Sequence, residues 1–138
     1  YFNEFPNIKQ YMNLSIENAK KTKYTQTLLG RKRFLRDIDS KNGMIRAMAE
    51  RNAINTPIQG TAADIIKVAM INIEKQLIKN DMKSKMTMQV HDELVFDMYK
   101  KEERLLRNII KQEMEGAINL NVPLVVDIGV GESWLSAH

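Results

Sequence analysis

The first regular feature of the chain is a stripe of apolar side chains that recurs every three or four positions. This stripe predicts a helix over Phe5–Lys20, and Pro6 suits its first turn, where the missing N–H would lack a helical partner in any case. Strand-forming residues follow at 24–29, and the turn signal Gly30-Arg31 leads into a second short arm at 33–35. We therefore expect a small hairpin with basic residues near its tip. The helical stripe consists of Ile8, Tyr11, Met12, Ile16 and Ala19.

A second helical pattern occupies the middle of the chain, beginning over residues 44–55. Pro57 should interrupt or kink this helix, because proline lacks the N–H and disfavours a helical residue before it. Gly60 marks a second break, and Thr61 with Asp64 resembles a capping box that starts a third helix. The apolar stripe of that third helix comprises Ala62, Ile65, Ile66, Ala69, Met70, Ile73 and Leu77.

The period of the pattern changes after the helical region. Residues 86–90 and 94–96 have the composition of strands, and residues 101–118 return to helical spacing. The apolar run at 124–130 predicts a third strand in this half of the chain. The order of helices, a strand pair, a helix and a strand is typical of an α+β fold with a largely antiparallel sheet.

The amino-acid composition narrows the class of protein. The 138 residues are 43% apolar and 28% charged, which suits one domain or a piece of a larger one. No apolar run approaches the length of a transmembrane helix, so we expect no membrane partner. Cysteine is absent, which excludes disulfides and thiolate zinc sites. Because Tyr1 is not a start methionine, we expect a processed, trimmed or cloned fragment.

The net charge of +4 is unevenly distributed. Residues 8–46 hold ten bases and three acids, a net +7, whereas the remainder has a net charge of −3. A basic segment of this kind suggests an anionic partner such as nucleic acid. A solvated lysine-rich surface is the alternative, and charge alone does not decide between the two.

Three ionisable residues, His91, Asp92 and Glu93, lie together between the two short strands. A tight hairpin would hold both carboxylates on a rigid edge, and adjacent hard oxygen ligands suit Mg²⁺ when substrate phosphates complete its coordination. The alternative is an ordinary polar turn, in which Asp is common. His91 could contact a phosphate or a sugar, or serve only the turn.

Polar side chains also gather around the predicted proline break. Arg51 and Asn55 are four positions apart and share one helix face, and Gln59 follows just past Pro57. A cation and two amides suit contacts to phosphates and base edges. A capped junction between two helices explains the same residues, and spacing alone leaves both interpretations open.

These segments together resemble family A DNA polymerases. The run Gln89-Val90-His91-Asp92-Glu93 resembles motif C of that family, and the segment from Arg51 to Asp64 resembles the one that precedes motif C. The basic hairpin Leu28–Arg33 and the closing segment Gly129–Trp134 also match. The resemblance runs over essentially the whole chain, in order and with fitting spacing.

The resemblance implies roles for individual residues. Asp92 corresponds to a ligand of the catalytic Mg²⁺ ions, Glu93 lies beside the metals, and His91 approaches the primer end. The residues implied to bind primer–template DNA are Arg51, Asn55, Gln59, Arg31 and Arg33. Residues 1–43 would form the end of the fingers subdomain, with its helix and basic hairpin, and residues 44–138 the C-terminal part of the palm.

The activity that the resemblance implies is addition of deoxynucleotides to a primer 3′ end by two-metal nucleotidyl transfer. The implied partners are primer–template DNA, deoxynucleoside triphosphates and an upstream part of the same chain, in the bacterial cytoplasm at the nucleoid. The second metal-binding aspartate, the nucleotide-gripping fingers helix and the thumb of the family have no counterpart in these residues. We therefore expect the isolated chain to be inactive. A non-catalytic DNA-binding module is one alternative, and a metal-dependent hydrolase using His91 and Asp92 is another.

Overall fold

The computed structural model describes residues 3–138. It confirms the α+β class, with helices and two separate two-stranded antiparallel sheets. The chain divides into two compact units, one ending at Asp64 and the other beginning at Ile65. The elements are α1 (Pro6–Thr22), β1 (Tyr24–Gln26), β2 (Lys32–Phe34), α2 (Gly43–Lys79), β3 (Lys85–Val90), β4 (Glu93–Asp97), a 3-10 turn (Lys100–Glu102), α3 (Glu103–Glu115) and α4 (Trp134–Ala137).

Helix α1 and the basic hairpin form where the sequence predicts them. Pro6 occupies the first turn of α1, and Lys23 ends the helix in the left-handed conformation, donating its N–H to the Ala19 carbonyl at 2.8 Å. Strands β1 and β2 pair around a turn in which Gly30 has a positive φ of 92°. The core of this unit is a cluster of Ala19, Leu35, Ile38, Ala49 and Ala53.

The predicted interruption at Pro57 and the predicted second break at Gly60 are wrong, because α2 continues through both residues as one helix of 37 residues. A proline inside a helix leaves the carbonyl four residues earlier without its N–H partner. Here that carbonyl belongs to the fully buried Ala53, and the Thr25 hydroxyl of β1 donates to it at 3.3 Å. A hydrogen bond from a neighbouring strand thus replaces the one that proline removes.

The predicted capping box is also wrong. Thr61 lies within α2, and its hydroxyl donates to the Pro57 carbonyl one turn earlier. Asp64 pairs instead with Arg31 of the hairpin, 2.9 Å from its Nε atom. Thr61 therefore binds the turn that contains the proline, Asp64 binds the hairpin, and neither side chain starts a new helix.

The second unit packs the end of α2 against α3 and the hairpin β3–β4. Its buried cluster consists of Ile73, Leu77, Leu106, Ile109 and Ile110. Helix α3 is shorter than the predicted 101–118, since it ends at Glu115 and Gly116 follows as its C-cap. The inward face of β4 contributes Leu94 and Phe96 to this core. The hairpin is therefore fixed on one side by apolar packing.

The Glu102 carboxylate organises the connection into β3. It accepts hydrogen bonds from the backbone N–H groups of Lys83 and Ser84, at 3.0 and 2.8 Å, and from the Ser84 hydroxyl at 2.7 Å. The buried Ser84 oxygen in turn accepts from the Tyr99 N–H at 2.9 Å. The donors from Lys83, then those from Ser84, lower the pKa of Glu102.

The predicted strand at 124–130 is wrong within the described part of the chain, where these residues pair with no strand. The segment is instead tied at Val126, whose N–H donates to the Glu115 carboxylate at 2.9 Å. A short helix, α4, follows it. Among residues 3–138, no helix combines the length and apolar character needed to cross a bilayer.

The hydrogen bond from Thr25 to Ala53 can be tested with a double-mutant cycle. Thr25→Val should lower the free energy of unfolding by about 1–3 kcal/mol, because it leaves a buried carbonyl without a donor. Pro57→Ala supplies a helical N–H for the same carbonyl, so Thr25→Val should cost clearly less in that background. Urea unfolding of the four proteins measures the coupling.

Thr87→Val is the matched control for that cycle, because the Thr87 hydroxyl donates to the Val95 carbonyl at an exposed site that water can reach. It should change stability by less than Thr25→Val. Equal costs of Thr25→Val with and without Pro57 would contradict our account of the continuous helix.

The Glu102 network predicts a pH-dependent stability. Because the pKa of Glu102 is lower in the folded chain than in the unfolded one, its contribution is present above the unfolded value and is lost as pH falls through the folded value. Glu102→Gln should therefore lower the melting temperature at neutral pH, and the gap from the parent chain should close in acid. Glu103→Gln, which removes only a 3.9 Å pair with Arg107, should leave both the melting temperature and its pH dependence nearly unchanged.

Candidate active site

The hairpin β3–β4 carries the three ionisable residues that the sequence singles out. Val90 pairs with Glu93, so His91 and Asp92 are the two residues of the connecting turn. Both are exposed, whereas Glu93 starts β4 and is partly buried. An extra residue at Thr87 makes a bulge in β3, a device that bends a strand and redirects the end of a hairpin.

The backbone at His91 is held in an uncommon conformation. Its φ is 54°, in the left-handed region that favours glycine. The Gln89 side chain donates to the His91 carbonyl at 3.2 Å and so supports the turn. Non-glycine residues with positive φ are uncommon, and such backbone outliers cluster at functional sites.

Glu93 has a partner that sequence reasoning missed. His138 Nε2 lies 2.9 Å from Glu93 Oε1, and His138 Nδ1 lies 3.1 Å from the Trp134 carbonyl. The Trp134 carbonyl, and after it the Glu93 carboxylate, raise the pKa of His138. A carbonyl and a carboxylate oxygen both accept hydrogen bonds, so this geometry is best satisfied when both ring nitrogens carry protons.

The closing segment brings His138 to Glu93. A side chain at Gly129 would clash with the Ala137 carbonyl, and one at Gly131 would meet the Ser136 hydroxyl, so both glycines permit close approach of α4. Ser133 caps α4, accepting from the Ser136 N–H at 3.3 Å. The signal available in the sequence was the Gly-x-Gly pair, which indicates close backbone packing without naming the residue that is packed.

The donor set on the hairpin suits Mg²⁺ in part. Two adjacent carboxylates match the one or two that Mg²⁺ sites commonly draw from a protein, with water and phosphate oxygens completing the octahedron. Within residues 3–138, however, no group of three or more metal-ligating side chains comes together. Asp92 and Glu93 therefore fit a shared site better than a self-contained one.

In the first unit, three predicted DNA contacts lie on one face of α2. Arg51, Asn55 and Gln59 are each four positions apart and all exposed, so they form a polar row about 12 Å long. This row exists because α2 is unbroken at Pro57. The break predicted at Pro57 would have separated Gln59 from the other two residues.

The two predicted arginines of the hairpin are held against α2. Arg31 donates from Nε to Asp64 at 2.9 Å and from Nη2 to the Gly60 carbonyl at 3.3 Å. Arg33 donates from Nη1 to the Thr56 hydroxyl at 3.4 Å. Arg31 thus has a structural role beside any contact with DNA, and its side chain remains 54% exposed.

A scan against protein-family models matches residues 1–136 to the model described as DNA polymerase family A. The chain belongs to DNA polymerase family A. The family A relatives include DNA polymerase I of Streptococcus pneumoniae serotype 4, 47% identical over 137 residues and 99% of this chain. DNA polymerase I of Mycobacterium tuberculosis is 46% identical over the same share. The chain spans only 16% and 15% of the length of these two relatives.

A solved family A structure matches as well. The POL domain of Pol1 from M. smegmatis, in complex with DNA primer–template and dNTP, aligns with a TM-score of 0.97 and 44% identity. The alignment covers 99% of this chain and 24% of that one. The family resemblance inferred from the motifs is therefore confirmed.

The backbone strain at His91 can be tested apart from any activity. His91→Gly should raise the free energy of unfolding relative to His91→Ala by about 1 kcal/mol, because only glycine adopts positive φ without steric cost. Chemical denaturation of the two variants measures the difference. Equal stability of the glycine and alanine variants would show that the turn at residue 91 is not strained.

Proposed function

We propose that this chain supplies the C-terminal part of the catalytic domain of a DNA-templated DNA polymerase, which adds deoxynucleotides to a primer 3′ end. The observation that carries the proposal is the match of nearly the whole chain to a polymerase domain solved with primer–template DNA and dNTP. The location we propose is the bacterial cytoplasm, at the nucleoid, in DNA replication and repair.

The subdomain assignment belongs to the same proposal. Residues 1–43 form the end of the fingers, and residues 44–138 form the C-terminal part of the palm. The short share of the relatives' length that this chain spans supports a requirement for upstream polymerase segments. Those segments are the first partner of the chain, and without them the 138 residues are expected to be inactive.

The metal role follows from the donor chemistry of the hairpin. Asp92 is the principal Mg²⁺ ligand and Glu93 the lesser one, with the remaining ligands drawn from substrate phosphates and from upstream residues. Bound Mg²⁺ ions supply electrostatic stabilisation of the attacking and leaving oxygens in phosphoryl transfer. Asp92 is suited to this role because it is exposed at the tip of a hairpin whose other end is anchored in the core.

The DNA contacts use the exposed row on α2. Arg51 is a charged partner for a backbone phosphate, while Asn55 and Gln59 offer amides that can donate and accept at base edges. Arg33 and Arg31 extend the basic surface within the same unit. His91 approaches the primer end from the hairpin turn, which gives its strained backbone a functional reason.

The main test is Asp92→Ala in the complete polymerase chain that contains these residues. Primer extension should fall by several orders of magnitude, because the variant loses a ligand that stabilises charge in the transition state. Affinity for primer–template DNA should change little. Single-turnover extension and a DNA-binding titration at one fixed salt concentration measure the two effects separately.

Asp97→Ala is the matched control, since Asp97 is an exposed aspartate at the opposite end of the same hairpin. It should leave extension near the parent rate. Full extension by Asp92→Ala, with slightly tighter DNA binding from the lost negative charge, would favour the non-catalytic DNA-binding module. Templated extension by the purified 138 residues alone would disprove their predicted inactivity.

A further inference from the structure

The two carboxylates at the hairpin turn are in different environments. Asp92 is exposed and makes none of the side-chain hydrogen bonds found among residues 3–138. Glu93, the next residue, is held at Oε1 by His138, which lies forty-five positions later. One carboxylate is thus left to a ligand, whereas the other is oriented by the protein itself.

The orientation of His138 is itself fixed from two sides. Its Nδ1 lies 3.1 Å from the Trp134 carbonyl, which directs Nε2 toward Glu93. The Trp134 ring meets the His138 ring edge-on, with centroids 5.1 Å apart. These two contacts orient the His138 ring so that Nε2 faces the Glu93 carboxylate.

The backbone of the closing segment allows His138 to reach Glu93. Gly129 and Gly131 let α4 approach their own backbone closely. A Cβ atom at either glycine would clash with residues 136–137. Ser133 and Ser136 exchange side-chain and backbone hydrogen bonds at the start of α4. Two glycines and a capped turn therefore fix a helix of only four residues, and that helix ends beside Glu93.

We propose that His138 is a positioning residue that orients the Glu93 carboxylate for divalent cation binding beside Asp92; this inference rests on the function proposed above. Fixing Oε1 determines where Oε2 can lie and removes the rotamer freedom that an exposed glutamate would lose on binding. Side chains that orient metal ligands in this way commonly contribute 10–100-fold to metal affinity or activity.

The test compares two substitutions of His138 in the complete polymerase. His138→Ala should raise the Mg²⁺ concentration for half-maximal extension about 10-fold, while KM for the dNTP stays within about 2-fold. His138→Gln keeps an N–H donor near the position of Nε2 and should restore most of the Mg²⁺ dependence. A residue that served only the stability of the fold would not produce this split or this rescue.

A second variant keeps His138 but moves it away from Glu93. Gly129→Ala should displace α4 by its clash with the Ala137 carbonyl and reproduce the Mg²⁺ shift of His138→Ala. Gly43→Ala is the matched control, because a Cβ at that position meets only an ordinary contact at 3.9 Å. It should leave the Mg²⁺ dependence unchanged.

A metal-free measurement tests the contact itself. In the 138-residue chain with chelator present, nuclear Overhauser contacts should join the His138 ring to the Glu93 side chain and disappear in Gly129→Ala. Absence of these contacts in the parent chain overturns the inference. An unchanged Mg²⁺ midpoint in His138→Ala, when Asp92→Ala abolishes extension, overturns the inference alone, whereas full extension by Asp92→Ala overturns the proposed function.

Discussion

Helix α2 depends on a hydrogen bond that comes from outside the helix. Pro57 removes the donor that the buried Ala53 carbonyl would use, and the Thr25 hydroxyl supplies another. A buried carbonyl without a donor would cost about 1–3 kcal/mol, enough to favour a break or a kink at this point. The strand that carries Thr25 therefore helps determine whether the helix can run from Gly43 to Lys79.

The continuity of α2 has consequences for the proposed DNA surface. Only in an unbroken helix do Arg51, Asn55 and Gln59 fall on one face at regular spacing. Gly60 matters for the same region, because a Cβ there would come within 2.7 Å of the Thr27 methyl group. Alanine normally stabilises a helix relative to glycine, yet here it would push against the hairpin that supplies Thr25.

Sequence reasoning succeeded where local pattern decides the structure. The apolar stripe of α1, the Gly30 turn and the hairpin around His91 and Asp92 all follow from neighbouring residues. The predicted interruption at Pro57 was wrong because the hydrogen bond that the Ala53 carbonyl lacks is replaced by one from Thr25, 28 positions earlier in the chain. The predicted strand at 124–130 was wrong because strand-forming composition needs a partner strand, and residues 3–138 provide none there.

The candidate site likewise combines a feature set by neighbouring residues with one set by a distant contact. Motif C was recognisable because its residues are consecutive, but the partner of Glu93 lies at the other end of the second unit. No local pattern links position 93 to position 138; the link exists only once Gly129 and Gly131 have allowed the chain to fold back. Adjacent carboxylates that look equivalent in sequence are therefore made unequal by the fold, since Asp92 meets solvent and Glu93 meets a fixed imidazole.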